Sequence, residues 1–500
     1  MAISILQQPK RTLQPAGMPT VWTVAQDNIV LNETNVKFIC EVYVGKQYNP
    51  IATNFPTATL KASPNAMGTG MFDVSPVIEA FVDVQQEGRN GISTASPNNS
   101  STFKGVDFSD NKPHAIHLID KFCTSSENLV WYQLKFRIEY TDTSTGLVFI
   151  DAIHDKTAFI RLVYNGVLGN TNPLSYDAWN WYWYDMQDVN YTDGSGDYLI
   201  RGNQGSALGG KFISNMPVKQ QMGENDYGTI AFFNCINYGN AQRTMPQNVN
   251  SNIVFITLEF YNAAGATVQL NSYENIPANG GQKKLTTDLD TSANYIYFGH
   301  GLGNMKGRGE TWPASAVGYK VYASAEEKRA VGRVYDFEII YDDCRGYEPV
   351  RICFQNALGA WDYYTFNKMS KTTVKSKRKN YQQLAGTWNE RLWRPKDHLG
   401  GMKVFDNVAV ESMTLNSDYI SEETAAWFEE MFTSSQVYIV NKFNSDNPVM
   451  NFPNANYIHK YIEPVVITSS SYTKKTLAND KLIQYSLKIS KSKTLNIQRA

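Results

Sequence analysis

Five hundred residues are too many for one hydrophobic core, which stops growing near ~250–300 residues, so about two to four domains are expected. A net charge of −1 excludes a global electrostatic attraction to nucleic acid or to an anionic membrane. Charged residues make up 19%, against a typical ~25%, so Asn, Ser, Thr, Gln and Tyr must supply the polar surface; with 34 Gly and 30 Tyr this is a composition of short strands joined by turns.

Met1 to Gly17 carries Gln7, Gln8, Pro9, Lys10 and Arg11 where a signal peptide needs an unbroken apolar run, so export is not expected. No window approaches the ~18 consecutive apolar residues of a membrane span. The five cysteines, Cys40, Cys123, Cys235, Cys344 and Cys353, are odd in number and form no C-x-x-C pair, which reads as reduced core thiols of a chain folding in a cytoplasm.

Along the chain, Asn35 to Val44 comes first: Val36, Phe38, Cys40, Val42 and Val44 alternate into one wholly apolar face of a strand. At Ser75 a short helix is predicted, with Ser75 as N-cap and Pro76 in the first turn. Three hairpins follow: Trp131–Tyr140 to Leu147–Ile150, Ile253–Tyr261 to Thr267–Leu270, and Val334–Tyr341 through Asp342–Tyr347 to Val350–Phe354. These runs share pattern more than letters, so they read as corresponding hairpins of β domains, not as a sequence repeat. A second helix is predicted over 421–432, with Ser421 as cap, Glu422 and Glu423 favouring the N-terminal dipole, and Phe428, Met431 and Phe432 as the buried stripe. The fold expected is mainly β, multi-domain and β-sandwich-like with a few short helices, divided roughly into 1–165, 166–330 and 331–500.

Motifs of chemistry lack their context. His114 and His117 form an H-x-x-H outside any helix and without a flanking glutamate, so metal binding is not expected. Gly299-His-Gly301-Leu-Gly303 resembles a phosphate cradle, but Asn304 to Gly309 read as continuing loop, not as the helix a dinucleotide fingerprint opens. Carboxylate pairs such as Asp342-Asp343 and Glu429-Glu430 leave a hydrolase conceivable, and no Gly-x-Ser-x-Gly elbow supports one. No catalytic residue, cofactor or metal is assigned.

Two segments stand out as interaction surfaces. The run Trp179, Trp181, Tyr182, Trp183 and Tyr184 is the densest aromatic stretch, with the three tryptophans on one face of a strand and the tyrosines on the other. The basic run Lys368, Lys371, Lys375, Lys377, Arg378 and Lys379 follows the aromatic strand Trp361–Phe366. It reads as a solvated or partner-facing strand edge in preference to a nucleic-acid surface.

Landmarks in order along nearly the whole chain are Phe72-Asp73-Val74-Ser75, the Tyr295–Gly303 strand and glycine loop, the segment Arg351 to Phe366 and the helix-bearing Leu415–Tyr438. Together they resemble virion proteins of tailed phages infecting Bacteroidetes and marine bacteria. The resemblance implies a tail, baseplate or neck part built from repeated copies, with other virion or tail proteins as partners, assembled in the host cytoplasm. The expected function is a structural component oligomerising around the tail axis. One alternative is a module binding a host-surface glycan, with Trp179, Trp181, Trp183 and Trp361 stacking on sugar; another is a polysaccharide-degrading tail enzyme.

Overall fold

The computed structural model describes residues 2–9, 13–46, 49–53, 55–88, 114–119, 121–124, 127–167, 191–192, 198–199, 212–233, 255–274, 295–326, 329–341, 347–388, 390–442, 462–469, 471 and 483–492. Strands dominate them, with five short α-helices, so the chain is mainly β. Two compact units are present: Met1–Tyr341 with Gln355–Asp362 and Lys442–Pro453, and Asp342–Phe354 with Tyr363–Asn441 and Asn454–Ala500.

The first unit begins with a sandwich. Its smaller sheet orders β1 (Ser4–Gln7), β3 (Val21–Ala25) and β6 (Thr69–Asp73); its larger sheet runs β2 (Leu13–Pro15), β12 (Arg161–Tyr164), β10 (Leu129–Thr141), β4 (Thr34–Gly45) and β5 (Ala58–Ala62). The alternation read at β4 is realised: Val36, Phe38, Cys40, Val42 and Val44 are buried in one core with Trp22, Val24 and Phe72 of the facing sheet. Phe136 of β10 sits 6.0 Å from both Trp22 and Phe72 by ring centroids. Two facing apolar layers joined this way make a β-sandwich. The helices α1 (Asp27–Asn32), α2 (Pro50–Thr53) and α3 (Ser75–Glu79) sit between its strands.

A second sandwich repeats the same topology. Its larger sheet runs β15 (Lys219–Gly223), β21 (Arg329–Ile340), β20 (Ala316–Glu326), β17 (Phe255–Asn262) and β18 (Thr267–Glu274). Its smaller sheet pairs β16 (Thr229–Phe233) with β19 (Tyr295–Gly299). In both larger sheets the strand that comes first along the chain lies parallel to the one that comes last, β2 with β12 and β15 with β21, and the other pairs along the path are antiparallel. In both, a short helix follows the smaller-sheet strand that comes last along the chain: α3 follows β6 in one, and α4 (Leu302–Gly307) follows β19 in the other. Thus β4 and β17 correspond, whereas the Trp131–Tyr140 run in β10 corresponds to β20. The third strand of the second small sheet is β9 (Phe122–Thr124), which the chain makes between β6 and β10 and pairs with β19. Two short pairs, β7 (Glu87–Gly88) with β8 (His114–Ala115) and β13 (Tyr191–Thr192) with β14 (Tyr198–Leu199), also belong to the described part of this unit.

The β10–β11 hairpin, with β11 spanning Val148–Thr157, is closed by a turn in which Gly146 has φ +68°. Asp142 organises that turn: its carboxylate accepts from Ser144 Oγ at 2.5 Å and from the Thr145 amide at 2.7 Å and hydroxyl at 3.0 Å, which lowers its pKa to about 2. A carboxylate depressed in the folded chain contributes above its ordinary value and loses the contribution as pH falls through the folded one. We therefore expect the turn to hold down to about pH 4 and to loosen as pH falls through about 2. Carbon-13 titration of the Asp142 carboxyl, with a midpoint near 2, checks this.

The second unit is one seven-stranded sheet, ordered β23 (Trp361–Phe366), β22 (Val350–Gln355), β26 (Val437–Val440), β27 (Ile462–Ile467), β28 (Ser486–Lys491), β25 (Gly401–Asn416) and β24 (Lys371–Gln383). Helix α5 (Glu422–Thr433) packs on it through Trp427 against Phe354 at 5.4 Å and Phe428 against Tyr364 at 4.6 Å. Ser421 caps this helix as its sequence indicates, accepting from the Thr424 amide; Met431 is buried and Phe432 half-buried.

Three expectations are corrected. Ser75 is the first residue of α3 and not its cap; Asp73 Oδ1 instead accepts from the Ser75 amide, the Ser75 hydroxyl and the Thr20 amide. The runs Val334–Tyr341 and Val350–Phe354 are not hairpin partners, because β21 pairs with β20 and β15 whereas β22 lies between β23 and β26. The residues after Gly301 form helix α4, not loop, because buried Leu302 and Met305 anchor it and a Cβ on Gly303 would come within 2.9 Å of the Asn225 carbonyl.

Candidate assembly surfaces

The aromatic run Trp179, Trp181, Tyr182, Trp183 and Tyr184 lies outside the described residues. Trp361 is described and is buried, its indole donating to the Gln85 carbonyl at 2.7 Å, so it has no face to stack on a sugar. Cys40, Cys123 and Cys353 are buried, and burial drives the pKa of Cys40 and Cys353 upward. Cys235 and Cys344 lie outside the described residues. His117 is buried, its ring 5.0 Å from that of Trp361. Among the described residues no three His, Cys, Asp or Glu side chains converge as a metal site, and no helix is long and apolar enough to cross a membrane.

Lys375, Lys377, Arg378 and Lys379 lie on β24, the terminal strand of the seven-stranded sheet, where every residue from Lys371 to Gln382 is exposed. Strand alternation puts Lys371, Lys375, Lys377 and Lys379 on one face, beside Thr414, Val410, Val408 and Asp406 of β25. Arg378 points to the other face beside Asn407. Lys379 pairs with Asp406 at 3.1 Å. Past Lys379 the register slips, leaving Phe405 without a cross-strand partner and its ring 6.2 Å from that of Tyr381. Such a bulge sharpens the twist of a two-stranded ribbon.

The inner strand of this pair leaves the sheet. β25 pairs with β28 only from Ser412 to Asn416, so Gly401–Glu411 continues with β24 alone, about 35 Å at ~3.3 Å per residue. Lys491 fastens the point of departure, bonding Glu411 and Glu463 at 3.2 Å each. Burial pulls the Lys491 pKa down, but Glu463 and Glu411 outweigh it, and the ammonium sits above its ordinary value. Val374, Tyr381, Met402, Val404 and Phe405 of the ribbon are exposed. Its far end is a folded loop: the Trp388 indole donates to the Ala385 carbonyl at 2.8 Å, and the Arg394 amide to Thr387 Oγ1 at 3.0 Å. That loop holds Leu384, Trp388, Leu392 and Trp393 in solvent.

A second exposed apolar element lies on the first unit, where Leu147, Val148, Phe149 and Ile150 run consecutively at the tip of the β10–β11 hairpin. Sequence reasoning identified β24 through its alternating lysines but missed β25, Trp388 and Trp393. The alternation Val404, Asp406, Val408, Val410 was the available signal. No protein-family model and no curated protein matches the chain.

Proposed function

We propose that this protein is a structural subunit of a phage virion, a tail component that assembles with copies of itself into a ring or collar, and not an enzyme. One observation carries the assembly reading: a two-stranded ribbon about 35 Å long, whose outer strand is exposed from Lys371 to Gln382 and whose inner strand exposes Met402, Val404, Phe405 and Val408, with a tryptophan-bearing tip. Two-stranded ribbons are marginal alone, and contiguous exposed apolar surface marks sites of protein contact. Tryptophan and tyrosine at such positions are typical of interface hot spots. The repeated sandwich adds further sheet edges, and the virion itself enters through the landmark segments from Phe72 to Tyr438.

A second reading, a glycan-binding adhesin, is favoured by Trp388 and Trp393, whose indoles are exposed and held by hydrogen bonds to the Ala385 carbonyl. Electron microscopy of the purified chain separates the two. Rings, or a mass several times that of one chain, are expected on the first reading. A persistent monomer whose glycan binding is lost on Trp388→Ala would favour the second.

A further inference from the structure

The ribbon of β24 and β25 has two open edges, since beyond Ser412 no described strand borders β25 and none borders β24 on its outer side. Resting on the assembly reading, we infer that β24 of one copy pairs with the Gly401–Glu411 stretch of β25 in the next copy, so that the ribbons join into one continuous sheet.

Charge selects this pairing over its rivals. β24 carries Lys371, Lys375, Lys377, Arg378 and Lys379 and no carboxylate, whereas Gly401–Glu411 carries Asp406, Glu411 and a single lysine, Lys403. Pairing β24 with β24 would set lysine against lysine, which is destabilising for directly opposed residues. Pairing β25 with β25 would leave the basic edge open.

Direction agrees with charge. β24 and β25 are antiparallel, so ribbons repeated side by side with the same orientation continue the antiparallel alternation without a break. Within the ribbon the lysine face already lies against Val408, Val410 and Asp406. The same neighbours on the other side would cover the lysine stems with valine and leave the ammonium groups in water. Lysine rows of successive copies would then stand two strands apart, about 9.5 Å, near the Debye length at 0.1 M salt, so repulsion between rows is weak. Because the two edges differ, the contact is heterologous, the kind that closes rings.

Mixed cysteine variants test the pairing in the full chain. Lys377→Cys protein is mixed with Asp406→Cys, Val408→Cys or Val410→Cys protein and oxidised, with wild type as the background for native cysteines. The expected result is a disulfide-linked dimer in at least one mixture and none above background from Lys377→Cys alone. A second variant replaces residues 376–409 by a two-glycine turn, with circular dichroism and buried-core unfolding as the check of fold; it is expected to remain monomeric. Linked Lys377→Cys homodimers, or rings in which no mixture links, would overturn the pairing, as would rings from the shortened chain. Those outcomes leave the assembly reading standing. A full-length chain that is monomeric at every concentration overturns both.

Discussion

Replacing Asn304 by leucine is expected to cost about 3–9 kcal/mol, enough to unfold much of the second sandwich. The side chain is fully buried on α4, where its oxygen accepts from the Gly228 amide at 2.9 Å and its nitrogen donates to the His117 and Ile119 carbonyls at 2.9 and 2.8 Å. Leucine fills similar space but leaves one donor and two acceptors buried without partners, at ~1–3 kcal/mol each. A domain is stable by only ~5–15 kcal/mol in total. Two of these bonds also hold the Ile116–Leu118 turn and the residue after it, from which the chain proceeds to β9 and its place beside β19. Urea unfolding followed by tryptophan fluorescence measures the loss. Asn304→Ala, which leaves room for water to reach the same three groups, should lose less; equal losses would show that the hydrogen bonds are not what Asn304 contributes.

What was legible in the sequence is what is decided locally. The apolar face of β4 needs only period-two alternation, the cap of α5 needs Ser421 three residues before Thr424, and the turn at Asn262–Gly265 needs one glycine at φ +78°. What was not legible depends on partners far along the chain. The parallel pairs β2–β12 and β15–β21 define the repeated sandwich, yet alternation within a strand does not say which strand lies beside it. For the same reason Val334–Tyr341 and Val350–Phe354 read as a hairpin while belonging to different sheets. The glycines at 301 and 303 looked like loop because their reason is tertiary: the Asp226 and Gly228 backbone lies where a side chain would be. As for the surface, the lysines of β24 announced an edge, but alternation in β25 gave no sign that its outer half lacks a core, since that depends on where β28 ends.

The turn Asn356–Ala360, within one of the landmark segments, carries the other large expectation. Gly359→Ala should cost more than about 4 kcal/mol, a loss that for a single substitution requires a definite structural cause. Two causes combine. Gly359 has φ +80°, which costs a residue with a Cβ ~1–2 kcal/mol. More important, that Cβ would overlap the Asn165 carbonyl, and backbone does not yield as a side chain does. Moving the turn aside would break the bond from Asn128 Nδ2 to the Gly359 carbonyl at 2.5 Å and that from the Val167 amide to the Ala357 carbonyl at 2.6 Å. It would also strain Asn356, which accepts from the Leu358 and Ala360 amides and donates to the Ile213 carbonyl and Asp362. Gly146 and Gly265 provide the control, with φ +68° and +78° and nothing within 4 Å of a Cβ, so alanine there should cost only the ~1–2 kcal/mol of the backbone. Asparagine sharpens the comparison, because it tolerates the left-handed region but still carries a Cβ. At Gly146 it should be nearly silent in thermal unfolding; at Gly359 it should be as damaging as alanine, because there the collision and not the backbone angle decides.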